Sequence, residues 1–193
     1  MCRLVFVPTQ HWLSAAEEKA EYDLHQNDEQ DPGYRRFLSR LTIPLMRKVF
    51  PGATGLDFGC GPGPALSSML REQGYNMYQY DPFYADDPSV LNRSYDFICA
   101  TEVVEHLREP RQTFTQLFSL LRAGGWLGVM TKLLRSQAAF RNWHYIRDLT
   151  HICFYSRHTF KYLAQTYNTA LEFAGEDVIL MNHGNSKVST SSF

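Results

Sequence analysis

This sequence of 193 residues contains no long apolar run. None of its apolar stretches approaches the ~18 residues that a membrane-spanning helix needs. The first residues contain neither a basic segment nor a cleavable apolar one, so no secretion signal is indicated. We therefore expect a cytoplasmic protein with no membrane partner.

An excess of charge of one sign is also lacking. The chain has 19 Lys and Arg residues against 20 Asp and Glu residues, which gives a formal net charge of -1. Non-specific binding to nucleic acid depends on a positive surface that neutralises phosphates, and this balance does not provide one. A basic cluster within residues 35–48 equally suits the solvated face of a helix. The composition therefore speaks against a nucleic-acid partner.

Closely spaced cysteines are absent too. The four cysteines stand far apart and form no C-x-x-C pair: Cys2, Cys60, Cys99 and Cys153. This spacing indicates neither a disulfide framework nor a zinc site built from cysteines. We interpret the four as isolated thiols.

What the chain does contain is a regular alternation of short apolar runs and amphipathic helices from Gly55 onward, at a length that suits one domain. This alternation is typical of βαβ units around a parallel sheet. We predict a doubly wound, mostly parallel α/β fold with strands at residues 55–58, 77–80, 95–100 and 126–131. A helix should start at Pro110 and stop at Gly124 and Gly125, and Ser156 should cap a last helix before an antiparallel hairpin at residues 170–174 and 178–181.

The first 50 residues differ from this pattern. Ser14 and Glu17 have the spacing of a capping box, which predicts a helix from about residue 15. Apolar residues at helical spacing predict a second helix around residues 34–41, and Pro44 suits the first turn of a third. We therefore expect a helical N-terminal cap at residues 1–50, a core at 51–183 and a polar tail at 184–193.

The sharpest local signal is a buried strand that runs into a glycine-rich turn, LDFGCGPG at residues 56–63. Glycines at 59, 61 and 63 allow the backbone to approach a ligand closely. A dinucleotide-binding loop needs its third glycine at position 64, where this chain has Pro64, so NAD and FAD are not favoured. Asp57 could hold a cationic amino group, and Asp81, near the end of the next strand, could accept both hydroxyls of a ribose. These features predict S-adenosylmethionine as the ligand.

The chain resembles the class I S-adenosylmethionine-dependent methyltransferases from about Gly55 to Met181. Four motifs carry the resemblance: LDFGCGPG at 56–63, YDP at 80–82, YDFICATEVVEHL at 95–107 and LLRAGGWLGVMT at 120–131. Two further segments, AEEKAEYDLHQND at 16–28 and NWHYIRDLTHICFYS at 142–156, look like an uncharacterised bacterial subgroup. The resemblance implies a seven-stranded-type sheet, yet the 12 residues 83–94 leave little room for its third strand. We expect this strand to be short or missing, with Val90 and Leu91 as its remnant.

The resemblance also implies a set of cofactor-binding residues. The glycine loop would line the methionine part of the cofactor, Asp81 would bind the ribose, and Phe83 would lie near the adenine. Thr101 and Glu102 would face the sulfonium end. The full set is Asp57, Phe58, Gly59, Cys60, Gly61, Pro62, Gly63, Asp81, Pro82, Phe83, Thr101 and Glu102.

Three histidines are candidates for the chemistry. Methyl transfer from a sulfonium is an in-line displacement that depends mainly on alignment, and a base helps only when the acceptor must lose a proton. His106 follows the strand at 95–100, while His144 and His151 lie in the segment 142–155 after the next strand. Asp148 could orient His151 as a base or could merely fix the segment. No pair of histidines has the i, i+4 spacing of a zinc-binding helix, so we predict no metal site.

These observations predict a methyltransferase that acts on a small-molecule acceptor. The aromatic and polar segment 142–155 should form part of the acceptor pocket. Tyr22, His25 and Tyr34 fit either a lid over the cofactor or aromatic packing in the core. Two alternatives remain open: a protein that binds S-adenosylmethionine without catalysis, and an RNA methyltransferase. The first would pair an intact cofactor loop with a blocked acceptor cavity, and the second would surround its pocket with Arg and Lys.

Overall fold

A computed structural model describes residues 1–24 and 28–184. His25 of the predicted lid and the predicted tail beyond Gly184 lie outside these residues. The helices are α1 Ala15–Tyr22, α2 Pro32–Met46, α3 Ala65–Glu72, α4 Pro110–Leu120, α5 Gln137–Phe140 and α6 Arg157–Thr166. The strands are β1 Val5–Phe6, β2 Thr54–Phe58, β3 Asn76–Tyr80, β4 Tyr95–Thr101, β5 Leu121–Met130, β6 Cys153–Phe154, β7 Ala170–Phe173 and β8 Val178–Asn182. No helix among the described residues is long and apolar enough to cross a membrane.

Six strands form the central sheet in the order β3-β2-β4-β5-β8-β7. β3, β2, β4 and β5 are parallel, and β8 and β7 add an antiparallel hairpin at one edge. This arrangement confirms the predicted mostly parallel α/β fold and its hairpin. It also brings the carboxyl ends of the parallel strands to one edge of the sheet, which is where ligands bind in open α/β folds.

The third strand of the predicted sheet is missing from the described chain. The remnant expected at Val90 and Leu91 is wrong, because these residues lie in a short 3-10 helix, Pro88–Asn92. Asp87 caps this helix by accepting a hydrogen bond from the backbone N–H of Ser89 at 3.0 Å, and Pro88 suits its first turn. The hydroxyl of Tyr95 donates to the carbonyl of Val90 at 2.7 Å, which ties the helix to β4.

Helices cover both faces of the sheet and divide the core into two layers. On one face, α2 and α3 contribute the buried side chains Leu38, Leu41, Leu45, Leu66 and Leu70. On the other face, α4 and α6 contribute Phe114, Leu117, Phe160 and Ala164. The predicted N-terminal cap therefore has two parts, since α2 packs within the core while α1 lies over the edge of the sheet.

The structure contradicts the predicted element boundaries at Pro44 and around Gly124. Pro44 lies inside α2 and opens no new helix, since the buried Leu41 and Leu45 on either side hold the helix against the sheet. α4 ends at Leu120, before the two glycines that were expected to stop it. Gly124 instead takes a φ of 80° within β5, next to a register shift between β4 and β5.

The N-terminal segment is also not entirely helical. β1 pairs antiparallel with β6, so Val5 lies opposite Phe154 and Phe6 opposite Cys153. The indole N–H of Trp12 donates to the carbonyl of Val7 at 2.8 Å and holds the next turn. The capping box of Ser14 and Glu17 is present at the start of α1, as predicted. The pairing of β1 with β6 brings the start of the chain to the segment predicted to form the acceptor pocket.

Candidate active site

A cavity of about 760 Å³ opens at the carboxyl ends of the parallel strands. Its wall combines the glycine loop, the segments that follow β3 and β4, the residues 144–151 and one side of α1. This volume lies within the range of roughly 300–1,000 Å³ that small-ligand sites occupy.

The glycine loop turns sharply after β2. Gly59 and Gly61 have φ values of 75° and 64°, a conformation that side chains other than glycine rarely adopt. A Cβ atom on Gly59 would lie 2.4 Å from Cγ2 of Val103, so the absence of a side chain is needed here. The backbone N–H of Gly59 donates to the carbonyl of Tyr80 at 2.7 Å. The loop thus exposes bare backbone to the cavity, and Phe58, Gly59, Cys60, Gly61 and Pro62 line it.

Asp57 and Gly63 were predicted to contact the ligand, but neither lines the cavity. The carboxylate of Asp57 is only 3% exposed and accepts a hydrogen bond from the hydroxyl of Ser67 at 2.9 Å. Burial raises the pKa of Asp57 to about 6. The structure therefore places Asp57 behind the loop, where its carboxylate joins the end of β2 to α3.

Asp81 lies at the cavity wall directly after β3. One carboxylate oxygen accepts a hydrogen bond from the backbone N–H of Gly61 at 3.0 Å. The other accepts from the backbone N–H groups of Phe83 and Tyr84 at 2.8 and 3.2 Å. Asp81 therefore ties the glycine loop to the turn that carries Pro82 and Phe83 along the same wall.

Thr101 and Glu102 lie at the carboxyl end of β4 and also line the cavity. Glu102 adopts a φ of 52°, which is strained for a residue other than glycine and is typical of functional sites. Thr101 Oγ1 and Glu102 Oε1 are buried atoms without a hydrogen-bond partner among the described residues. Burial, with a smaller effect from the nearby Glu105, raises the pKa of Glu102 to about 8.

Glu105 is a functional candidate that the sequence analysis missed. Its side chain is 0% exposed, and one carboxylate oxygen accepts a hydrogen bond from the hydroxyl of Tyr145. Burial raises the pKa of this carboxyl group. Glu105 is the second acidic residue of the motif EVVEHL. The sequence does not show that it is buried, because the contact that covers it comes from Tyr145, 40 positions further along the chain.

All three predicted catalytic histidines line the cavity. Nδ1 of His106 donates to the carbonyl of Thr150 at 3.0 Å, and Nδ1 of His151 donates to the carbonyl of Tyr145 at 2.7 Å. The two rings pack with their centroids 4.8 Å apart. His144 stands apart from this pair, since its Nε2 accepts a hydrogen bond from Nζ of Lys132 at 3.0 Å.

The structure places Asp148 beside His151, as the predicted pairing requires, but without a hydrogen bond between them. Oδ2 of Asp148 lies 3.6 Å from Nε2 of His151, which is too long for a hydrogen bond and would form an ion pair only with a protonated imidazole. Burial lowers the pKa of His151, so its imidazole is neutral near pH 7. A neutral imidazole that donates through Nδ1 carries its lone pair on Nε2.

α1 closes the cavity on the side opposite the sheet. The ring of Tyr22 packs edge-on against His106 with centroids 5.3 Å apart, and its hydroxyl donates to Glu18 at 2.7 Å. The guanidinium group of Arg108 forms an ion pair with Oε2 of Glu18 at 2.9 Å. The hydroxyl of Tyr84 donates to Asp23 at 2.6 Å, just beyond the end of α1. Tyr34, the remaining described residue of the predicted lid, lines the cavity from α2.

A glycine loop, a carboxylate after the second parallel strand and a ligand cavity at the carboxyl edge of the sheet define a methyltransferase of class I. The sequence profile of a family described as a methyltransferase domain matches residues 28–172. The chain belongs to this methyltransferase family, which confirms the resemblance that its motifs indicated. No curated protein matches the sequence.

Three solved structures with a similar fold are distant in sequence from this chain. The 1,6-didemethyltoxoflavin-N1-methyltransferase of Burkholderia thailandensis, with bound 1,6-didemethyltoxoflavin and S-adenosylhomocysteine, has a TM-score of 0.61 and 13% identity over 94% of this chain and 95% of that one. A chain from the complex of the Haloferax volcanii Trm112 methyltransferase activator with a methyltransferase has a TM-score of 0.57 and 11% identity over 88% and 98%. CalO1, a methyltransferase of calicheamicin biosynthesis solved with S-adenosylhomocysteine, has a TM-score of 0.54 and 14% identity over 89% and 59%. These similarities establish the shared fold.

Proposed function

We propose that this methyltransferase transfers a methyl group from S-adenosylmethionine to a small-molecule acceptor in the cavity between α1 and residues 144–151. S-adenosylmethionine is the cofactor, and it supplies a methyl group that is already activated as a sulfonium. The work left to the protein is to bind both molecules, align them and exclude water.

The residues on the sheet side of the cavity fit the cofactor. Gly59 and Gly61 present backbone without side chains, and a Cβ atom at Gly59 has no room. Asp81 fixes the loop through Gly61 and retains lone pairs that can accept ribose hydroxyls. Thr101 Oγ1 and Glu102 Oε1 supply buried polar atoms that lack a protein partner among the described residues. We propose that Phe58, Cys60, Pro62, Pro82 and Phe83 complete the cofactor wall, with Asp57 as a positioning residue behind the loop.

The charge of the cavity wall carries the proposal for a small acceptor. Among the described lining residues, three carry a carboxylate and one carries a positive charge: Glu18, Asp81, Asp148 and Lys132. Glu102, whose pKa is raised to about 8, adds a carboxyl group that is largely protonated near pH 7. A polyanion such as RNA needs Lys and Arg to neutralise its phosphates. An acidic, aromatic cavity covered by Tyr22 and the rest of α1 instead favours a neutral or cationic molecule of small size. The basic residues around α2 include Arg35, Arg40 and Lys48, which pair with Glu72, Asp177 and Glu172.

The acceptor side also contains groups that can take a proton. Nδ1 of His106 and of His151 each donates to a backbone carbonyl, which leaves the lone pair of each ring on Nε2. An acceptor hydroxyl, phenol or protonated amine must lose a proton during methylation, and a neutral imidazole can accept it. We propose His151 ahead of His144, whose Nε2 already accepts from Lys132.

A labelling experiment tests this proposal. The protein is incubated with S-adenosylmethionine that carries a labelled methyl group, together with cell extract separated into a low-molecular-weight fraction and an RNA fraction. We expect label in small molecules, and no label when Asp81→Ala replaces the wild-type protein. Label in RNA alone would contradict the small acceptor. Binding of S-adenosylhomocysteine without label in any fraction would favour the non-catalytic alternative.

A further inference from the structure

Three side chains bring metal-binding atoms together next to the cavity, which His106 and His151 line. One such atom from each of Glu105, His106 and His151 lies within 4.8 Å of the others. Glu105 and His106 belong to the turn after β4, whereas His151 belongs to the segment before β6. The cluster is therefore a product of tertiary structure, which explains why the histidine spacing in the sequence predicted no metal site.

Only one of the two carboxylate oxygens of Glu105 is hydrogen-bonded among the described residues. Its side chain is 0% exposed, and Oε2 has no hydrogen-bond partner among the described residues. Burial of a carboxylate without full compensation is costly, so buried charges are normally paired or bound to a metal ion. The charged neighbours of this carboxylate include another acidic residue, Glu102, which adds to the cost. A cation bound at this position would remove the energetic cost of burying the carboxylate.

The two histidines are held in the orientation that metal ligands require. Histidine ligands commonly donate their second ring N–H to a backbone carbonyl or a carboxylate, which fixes the tautomer and the ring. Both rings do so here, since Nδ1 of His106 donates to Thr150 and Nδ1 of His151 donates to Tyr145. The lone pair of each ring therefore lies on Nε2.

The residues 145–151 act as a support for all three side chains. Tyr145 donates its hydroxyl to Glu105 and accepts from His151 through its carbonyl, so one residue orients two of them. Oδ1 of Asp148 accepts from the backbone N–H and the hydroxyl of Thr150 at 2.9 and 2.6 Å. This fixes Thr150, whose carbonyl accepts from His106. Outer contacts of this kind are typical of metal centres.

We infer that Glu105, His106 and His151 bind a divalent transition-metal ion, with zinc as the ion that two imidazoles and one carboxylate favour. Catalytic zinc sites use three protein ligands and leave a fourth position open. His106 and His151 line the cavity, so the open position faces the acceptor. An oxygen atom of the acceptor is the ligand that this position fits. This role for the ion rests on the proposed function and replaces the proton-accepting role of the two imidazoles, because Nε2 cannot bind the ion and a proton at once. The metal site itself does not rest on the proposed function.

Zinc titration tests the inference on the purified full-length chain. After treatment with a chelator, calorimetry with Zn²⁺ alone should show one site per chain, and Zn²⁺ should raise the melting temperature. Glu105→Gln and His151→Ala should each weaken zinc binding by roughly tenfold or more, as loss of a group essential to a metal site does. His144→Ala is the matched control, because His144 lines the same cavity outside the cluster, and its zinc affinity should equal that of the wild type.

Three outcomes would overturn the metal site: no zinc binding by the wild type, zinc binding unchanged in Glu105→Gln and His151→Ala, or equal loss in His144→Ala. Binding of S-adenosylhomocysteine serves as the check that each variant is folded. If a variant fails this check, His106→Gln takes its place in the zinc titration. The two proposals fail separately. Methyl transfer to small molecules without zinc binding overturns the metal site alone, whereas zinc binding without methyl transfer to small molecules overturns the small acceptor alone.

Discussion

The backbone N–H of Gly61 donates a hydrogen bond of 3.0 Å to the carboxylate of Asp81. This bond joins the loop after β2 to the end of β3, so one side chain both shapes the glycine loop and faces the cavity. The two parts of the cofactor site therefore depend on each other.

Asp81→Ala should weaken the binding of S-adenosylmethionine and S-adenosylhomocysteine because it removes an acceptor for the ribose and the anchor of the loop. Hydrogen bonds to a charged group contribute roughly 1.5 to 3 kcal/mol each, so we expect a loss of at least about tenfold in affinity. Titration calorimetry measures this directly. Unchanged affinity in a folded variant would remove Asp81 from the site.

Gly59→Ala should destabilise the protein and weaken cofactor binding. The new Cβ atom would lie 2.4 Å from Cγ2 of Val103, and a φ of 75° is strained for alanine. Thermal unfolding and calorimetry measure the two effects. The double variant with Val103→Ala should recover part of the stability, since it relieves the contact but not the backbone strain. Wild-type stability in Gly59→Ala would show that the loop has more room than the structure indicates.

Asp57→Asn should change how stability depends on pH. Burial raises the pKa of Asp57 in the folded state to about 6 from an ordinary value of 3.8, so folding favours the protonated form. Its contribution to stability is fully present below about pH 4 and is lost as the pH rises to about 6. The melting temperature of Asp57→Asn minus that of the wild type should therefore increase between pH 4 and pH 7. A change of about 1 kcal/mol in the free energy of unfolding corresponds to roughly 2 to 4 °C. A constant difference across this range would contradict the buried, proton-binding position of Asp57.

The motifs of the sequence were sufficient for the parts of the site that are local. The glycine loop and Asp81 lie at adjoining strand ends, and a parallel sheet brings such ends together without further information. Glu105 was missed because nothing near it in the sequence shows that Tyr145 covers it. The contact between β1 and β6 was missed for the same reason, since it joins residues about 150 positions apart.

Local signals failed where tertiary packing opposed them. Pro44 ordinarily marks the start or the end of a helix, but the buried side chains of α2 stabilise the helix through it. Asp57 belongs to a motif that implied contact with the ligand, and only the structure shows that Ser67 takes its carboxylate. A sequence pattern places such a residue near the site but does not show which way its side chain points.

α1 should become more protected when the cofactor binds. Tyr22 lines the cavity, while no residue of α1 is fully buried, so the free helix should open readily. Hydrogen exchange across Ala15–Tyr22 should slow on addition of S-adenosylhomocysteine, and exchange in α6, which does not line the cavity, should stay the same. Equal exchange in α1 with and without ligand would show that this helix is not a lid.

His151→Ala should lower turnover by about 10²-fold or more while it leaves the affinity for S-adenosylhomocysteine nearly unchanged, as removal of a group that acts on the acceptor does. His144→Ala should have a smaller effect, because its Nε2 bonds to Lys132 outside the pair of packed rings. Single-turnover kinetics with an identified acceptor compares the two. A larger loss in His144→Ala would move the chemistry to the other side of the cavity.

The most direct test of the account is calorimetric titration of the purified protein with S-adenosylhomocysteine and, separately, with NAD. The glycine loop, Pro64 in place of a third glycine, and Asp81 predict one binding site per chain for S-adenosylhomocysteine and no binding of NAD. Binding of NAD, or the absence of any heat with S-adenosylhomocysteine from folded protein, would contradict the assignment of this cavity to methyl transfer.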